Sequence, residues 1–209
     1  MTTTLAALQL ADWRRRVAGL YAGVRQLSAT NPAAGHELWR SGRDELFAGH
    51  PQSPLLPDDR ADFTGLTISR YDPDWRFELE VRRVDGPVRM TVDSATDGAI
   101  PFTLVGTVRV PTMGTLDVWR VMSYAGGLFV PVKDALAGAP GGTYGGGRYL
   151  LDTMKGADLG AGAGDDSLVL DFNFAYNPSC AYDPSWSCPL AQEGNTLRDE
   201  VPVGERMPR

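Results

Sequence analysis

Phe102-Thr103-Leu104-Val105-Gly106-Thr107-Val108-Arg109-Val110 and, just beyond a short turn at Met113-Gly114, Leu116-Asp117-Val118-Trp119-Arg120-Val121 are the runs that decide the fold class. Both are rich in β-branched and aromatic residues and carry apolar side chains at a period of two, the signature of a strand. A connector this short has no room for a crossover helix, so the two runs pair antiparallel. The same period extends outward through Leu66 and Ile68, Phe77-Leu79-Val81, Met90 and Val92, Leu128-Phe129-Val130-Pro131-Val132, and Leu168-Val169-Leu170-Asp171-Phe172-Asn173-Phe174. Asp85-Gly86, Asp97-Gly98 and Gly126-Gly127 supply further tight turns. The expectation is a mainly β, α+β chain: an antiparallel β-barrel or sandwich of seven or more strands.

Two helices are expected ahead of it. Trp13, Val17, Leu20, Tyr21, Val24 and Leu27 recur at steps of three and four, which lines one helix face over residues 5–27. Asn31-Pro32 is a cap and first-turn pair, and Leu38, Trp39, Leu46 and Phe47 continue the helical spacing until Gly49-His50-Pro51. The prolines of Pro51-Gln52-Ser53-Pro54-Leu55-Leu56-Pro57 make a linker. The chain therefore divides into a helical preface, 1–50, and a β-rich part with a long C-terminal motif loop, 51–209, read as a single structural unit.

Composition excludes several classes. Hydrophobic residues at 43% and charged residues at 22% are globular values. With net charge −6 and scattered basic residues, no track for a phosphate backbone is present, so no nucleic-acid partner is expected. No window approaches about 18 consecutive apolar residues, and the start of the chain carries no basic leader before an apolar run, so neither membrane insertion nor export is expected and the location is read as cytoplasmic. The oligomeric state is open.

Polar residues suited to chemistry concentrate in 143–205. Gly145-Gly146-Gly147 lets the backbone turn or approach a ligand just before Arg148, whose guanidinium would grip a carboxylate or phosphate or else pair with Asp152 or another internal acid. No lysine and hydroxyl follow those glycines, so this is not a phosphate loop. In strand geometry Asp171 and Asn173 share a face, turned to a lumen or ligand or joined in a buried network. Asp171, Asp152 and Tyr176 are the candidate catalytic acid–base groups; Arg148, Tyr149, Asn173, Asn177, Tyr182 and Glu205 are the candidate ligand contacts. Glu205 is also a candidate ion-pair partner of Arg148. Cys180 and Cys188 read as structural thiols, with a local bridge or a nucleophile as alternatives. His36 and His50 are too distant to complete a metal set with them, and no metal or cofactor is expected. His50 itself is either a base for a cysteine or a helix-end residue.

The runs Tyr144-Gly145-Gly146-Gly147-Arg148-Tyr149, Asp171-Phe172-Asn173-Phe174-Ala175-Tyr176-Asn177-Pro178-Ser179-Cys180-Ala181-Tyr182, Cys188-Pro189-Leu190, Asn195-Thr196-Leu197 and Gly204-Glu205 resemble the hallmark of the bacterial domain-of-unknown-function 1684 family. Trp39-Arg40, Leu46-Phe47, Ser53-Pro54-Leu55 and Phe63-Thr64-Gly65-Leu66 resemble its opening. The resemblance implies weight for the positions already named and for Asn195, and implies no activity. The chain departs from it at Ala191-Gln192-Glu193-Gly194, where a proline-rich step would follow Pro189-Leu190.

The functional expectation is a cofactor-independent enzyme acting on a small anionic substrate held by an arginine in a β-barrel pocket. The alternatives are a non-catalytic small-molecule-binding protein, or a scaffold whose helical preface binds a partner.

Overall fold

Thr3 and Asn31 start the two long helices. The Thr3 hydroxyl accepts from the Ala6 amide at 3.2 Å and opens α1, Thr4–Ser28; Asn31 Oδ1 accepts from the Ala34 amide at 3.1 Å and opens α2, Pro32–Gly49. A short third helix, α3, Pro57–Ala61, follows the proline-rich linker. The computed structural model describes residues 3–94, 98–124 and 126–208. Asp97 of the expected Asp97-Gly98 turn lies outside the described residues.

Seven strands are present among the described residues: β1 Arg76–Glu80, β2 Arg89–Ser94, β3 Gly98–Val110, β4 Gly114–Val121, β5 Gly127–Val132, β6 Arg148–Asp152 and β7 Ser167–Asp171. β2 to β6 form a five-stranded antiparallel meander in sequence order, and β1 pairs antiparallel with β7 in a second, two-stranded sheet. The hairpin that decided the fold class pairs as expected, Val110 opposite Gly114 and Phe102 opposite Val121, with a bulge between Leu104 and Gly106.

Membership of the strand set differs from the expectation at two places. Ile68 makes only an isolated bridge to Glu205, whereas residues 148–152 form β6. β6 is buried on both faces and carries a charged residue at each end, so no polar–apolar alternation marks it. β7 stops at Asp171, and Phe172–Phe174 turns in a 3-10 helix whose Asn173 amide is capped by the Asp171 carboxylate. Asp171 and Asn173 are therefore neighbours through a turn, not through a pleat.

The strands do not close into a barrel. The two sheets touch through backbone bridges: Arg82 exchanges two 2.8 Å hydrogen bonds with Thr107 on β3, and Tyr176 bridges Tyr149 on β6. A Cβ on Gly106 would collide with the Arg82 carbonyl, which is why a glycine sits beside the first bridge. Among the described residues the space between the sheets is filled by Val108, Val118, Val130, Leu150, Leu170 and Phe172, which leaves no lumen there for a ligand. A second buried cluster runs from the helices into the meander through Tyr21, Trp39, Phe174, Tyr176, Tyr149 and Phe129. Within it Trp39 Nε1 donates to the Tyr21 hydroxyl at 3.0 Å.

Candidate functional site

Arg148 does not face a ligand. It is fully buried, and its Nη atoms donate to Asp134 Oδ2 at 3.0 Å and to the carbonyls of Val201 (3.2 Å), Glu205 (3.2 Å) and Val203. Asp134 is held in turn by the Thr143 hydroxyl at 3.0 Å and the Leu136 amide at 2.9 Å. Burial lowers Arg148 to about 10, so the guanidinium stays charged at neutral pH. Its acid is Asp134, not Asp152, and from Glu205 it takes only the backbone oxygen. The glycines serve the same assembly: Gly147 turns at φ 86° against the Val132 carbonyl, and at Gly204, φ 80°, a Cβ would lie 2.9 Å from Arg148 Nη1. An arginine whose Nη atoms tie down the C-terminal segment, and whose Nε is buried without a partner, presents nothing to an open surface where the expected substrate would bind.

Asp171 and Asn173 form a second sealed network. Asp171 Oδ1 accepts from the Asn173 amide at 3.0 Å and from Asn173 Nδ2 at 2.8 Å, and Oδ2 accepts from the Tyr71 hydroxyl at 3.3 Å. Asn173 Nδ2 also donates to the Asp72 carbonyl at 2.8 Å, its Oδ1 accepts from the Asp72 amide at 2.9 Å, and its carbonyl meets His36 Nε2 at 3.1 Å. Burial pushes Asp171 up to about 6, against the donors that favour its ionised form. Because the folded-state value lies above the ordinary one near 4, this group's stabilising contribution is fully present below pH ~4 and is lost as pH rises through ~6, an effect on the order of 3 kcal/mol. In urea denaturation, wild type should thus lose stability relative to Asp171→Asn across that window; parallel profiles would refute the assignment.

Asn195 is likewise saturated: it accepts from Trp119 Nε1 at 3.0 Å and donates to the carbonyls of Asp117 (2.9 Å) and Pro131 (3.0 Å). Tyr182 sits edge-on to Phe47 at 5.0 Å, and Cys180 and Cys188 are free, half-buried thiols. His50 caps α2: its Nδ1 accepts from the Gln52 amide at 3.0 Å, so Nε2 carries the proton toward Asp12 at 3.3 Å. The cleft beside it, about 700 Å³ between α1 and α2, also holds Ser41. With both imidazole nitrogens engaged, that trio has no base for a nucleophile.

Of the remaining expected residues, Tyr176 and Asn177 line a cavity of about 70 Å³ together with Tyr21, Arg43, Phe47 and Lys155 among others, whereas Tyr149, Asp152 and Glu205 do not line it. Arg43 was not foreseen. Its guanidinium lies 5.0–5.1 Å from the ring centroids of Trp39, Phe47 and Tyr176, and Nη2 donates to the buried Glu205 carboxylate at 2.7 Å. Glu205 accepts also from the Asn177 amide at 3.0 Å. Lys155 was missed as well: its ammonium stands 5.6 Å from the Tyr149 ring, which meets Tyr176 edge-on at 5.5 Å. A signal for Arg43 existed: Trp39, Arg43 and Phe47 step by four along α2, which puts a cation inside the apolar stripe.

Three residues lining this cavity carry buried polar atoms with no partner: Arg43 Nε, Tyr176 Oη and Asn177 Oδ1. Buried polar groups are satisfied in the great majority of cases, so three on residues lining one hollow set it apart from Ser28, Arg60, Arg148 and Tyr182, whose unpartnered atoms lie elsewhere. Burial drives the Tyr176 phenol well above its ordinary value and keeps it a donor at neutral pH; burial also raises Asp152, opposed by Lys155. Among the described residues no three His, Cys, Asp or Glu side chains come together as metal ligands, and no helix is long and apolar enough to cross a membrane.

Fold and cavity together define an α+β protein of two antiparallel sheets whose helical face carries a small, aromatic-walled cationic hollow. The chain belongs to the family described as "Protein of unknown function (DUF1684)", whose model matches residues 61–206. It is similar to the uncharacterized protein from gene locus rrnAC0354 of Haloarcula marismortui, solved by solution NMR: 34% identity over 80% of this chain and 89% of that one, with a TM-score of 0.57. No curated protein matches the chain.

Proposed function

We propose that this protein binds a small ligand with an anionic head, and that the arginine holding it is Arg43 in the helix-facing cavity. The observation that carries the reading is the trio of unpartnered buried atoms on Arg43, Tyr176 and Asn177. Arg43 Nε and the Tyr176 hydroxyl would donate to the anion, Lys155 would add positive charge beside Asp152, and Asn177 Oδ1 would accept from a hydroxyl or amine on the ligand. Since Glu205 already neutralises Arg43, that second cation sets the preference for an anion. The hollow has about 70 Å³, well under the ~300 Å³ of a typical ligand pocket, so it suits a carboxylate or phosphate head with the rest of the molecule lying toward Trp13, Val17 and Pro54.

A cofactor-independent enzyme at the same cavity is the second reading. Asp152, a buried acid that burial raises above its ordinary value and whose charge reaches the Tyr21 and Tyr176 phenols, favours it, because burial biases such a group toward the protonated form that a general acid needs. Titration calorimetry with phosphate, acetate, benzoate and phenyl phosphate tests the binding reading. Tyr176→Phe keeps the ring and removes only the unpartnered hydroxyl. It should weaken the best of these ligands by about 10- to 100-fold, the worth of a hydrogen bond to a charged group, with little change in melting temperature. Equal affinity in wild type and Tyr176→Phe, or no binding of any of the four to wild type, would overturn the reading.

A further inference from the structure

A second and larger cavity, about 590 Å³, lies where residues 55–67 meet Tyr182, Glu205 and Arg206, apart from the one that Arg43 lines. Backbone contacts fix its walls: Ile68 bridges Glu205, and the Arg206 amide donates to the Thr67 carbonyl at 2.8 Å. Its charge is lopsided. Asp58, Asp59, Asp62 and Glu205 line it against Arg206, whose Nη2 is already given to the Pro202 carbonyl at 2.7 Å. Arg60, the cation of α3, turns its Nη2 to the carbonyls of Ser53 and Leu55 instead. Two oxygens on the cavity lack a donor. Glu205 is 1% exposed, yet both hydrogen bonds to its carboxylate, from Arg43 at 2.7 Å and from the Asn177 amide at 3.0 Å, end on Oε2; among the described residues none reaches Oε1. The Tyr182 hydroxyl is buried with no partner. Phe63 and Tyr182 each pack on Phe47, at 6.3 and 5.0 Å between ring centroids, and give the cavity an aromatic wall.

We propose that this cavity binds a small organic ammonium or guanidinium ion, whose N–H groups donate to Glu205 Oε1 and to the Tyr182 hydroxyl oxygen while Phe63 and Tyr182 pack on its apolar part. Such an ion supplies what both oxygens lack, several donors on one charged centre, and an aromatic wall attracts it further. The charges agree. Arg43 balances Glu205, which leaves Asp58, Asp59 and Asp62 to draw a cation against Arg206. Those three acids are exposed, so they add attraction that salt screens. A metal ion fits less well, since among the described residues no three His, Cys, Asp or Glu side chains come together as ligands. At about 590 Å³ the cavity has the ~300–1,000 Å³ of a small-molecule site. The inference goes beyond the anion reading and does not rest on it: Arg43 lines one cavity, and its partner Glu205 lines the other.

Titration calorimetry on the full chain with benzylammonium, phenylguanidinium and the neutral benzyl alcohol tests it. At least one of the two cations should bind wild type, and benzyl alcohol should bind about tenfold more weakly or worse. Tyr182→Phe keeps the ring, removes the unpartnered hydroxyl, and should weaken the better cation by about tenfold with little change in melting temperature. The triple variant Asp58→Asn, Asp59→Asn, Asp62→Asn changes exposed residues and should weaken it by about threefold at low salt, a difference that fades near 1 M salt, where the screening length is ~3 Å. Tyr176→Phe, which probes the other cavity, should leave cation affinity unchanged, so the two readings fail separately. Benzyl alcohol binding as tightly as benzylammonium, no binding of either cation, or wild-type affinity in Tyr182→Phe would overturn the proposal. Should Tyr182→Phe fail to fold, the triple variant decides, and an unchanged low-salt affinity there overturns it.

Discussion

Replacing Arg148 by methionine should lower the unfolding free energy by about 3–5 kcal/mol while leaving any ligand affinity of the folded fraction unchanged. Methionine keeps much of the volume, so the loss isolates the guanidinium. Without it, Asp134 is a buried carboxylate with no counter-charge, and the carbonyls of Val201, Val203 and Glu205 lose their side-chain donor. The charge dominates, because an unpaired buried ion costs more than an unmade neutral hydrogen bond. The deficit therefore belongs chiefly to the stranded Asp134 carboxylate. Adding Asp134→Asn should recover part of it, with a coupling of about 2 kcal/mol between the sites in urea denaturation. A variant of wild-type stability would return Arg148 to the ligand-gripping role expected from the sequence.

The second large effect is at Arg43, where stability and binding should fail together and can then be separated. Arg43→Met strands Glu205, which is 1% exposed, and should cost about 3–5 kcal/mol at neutral pH. Glu205 already lies above its ordinary value through burial, with Arg43 the main opposing influence. Removing Arg43 raises it further, so this deficit should diminish toward acid pH. The double variant Arg43→Met, Glu205→Gln removes both charges and keeps an oxygen for the Asn177 amide at 3.0 Å. It should regain most of the stability, since a buried ion pair is often replaceable by neutral groups, yet should still fail to bind the anions that wild type binds. Recovered binding in the double variant would remove Arg43 from the ligand.

How far the candidate site could be read from the sequence depends on what each residue needed from the fold. Tyr176 and Asn177 were legible as polar residues in a segment otherwise fit for a core, and they do line the cavity. Arg148 and Asp171 looked alike by that criterion, yet both are consumed by internal partners, Asp134 for one and Asn173 with Tyr71 for the other. Sequence position marks a costly residue, and a sealed network and a binding site cost alike. Arg43 lies 162 residues from Glu205, its carboxylate partner, so the long-range pairing that buries it leaves no local trace beyond its place in the α2 stripe.

The amino-acid sequence by itself determined the elements with strong local causes. The Asn31-Pro32 cap, the three-and-four spacing of α1 and the period of two around the Val110 to Gly114 hairpin required no distant partner. Tertiary structure alone decided β6, because a strand buried on both faces shows no alternation, and it decided the open arrangement of the two sheets, which depends on bridges between residues as distant as Arg82 and Thr107. It also moved the candidate binding site from a barrel lumen to the face beneath α1 and α2: burial and pairing, which fix whether a charged group is free to meet a ligand, are properties of the neighbours that folding brings.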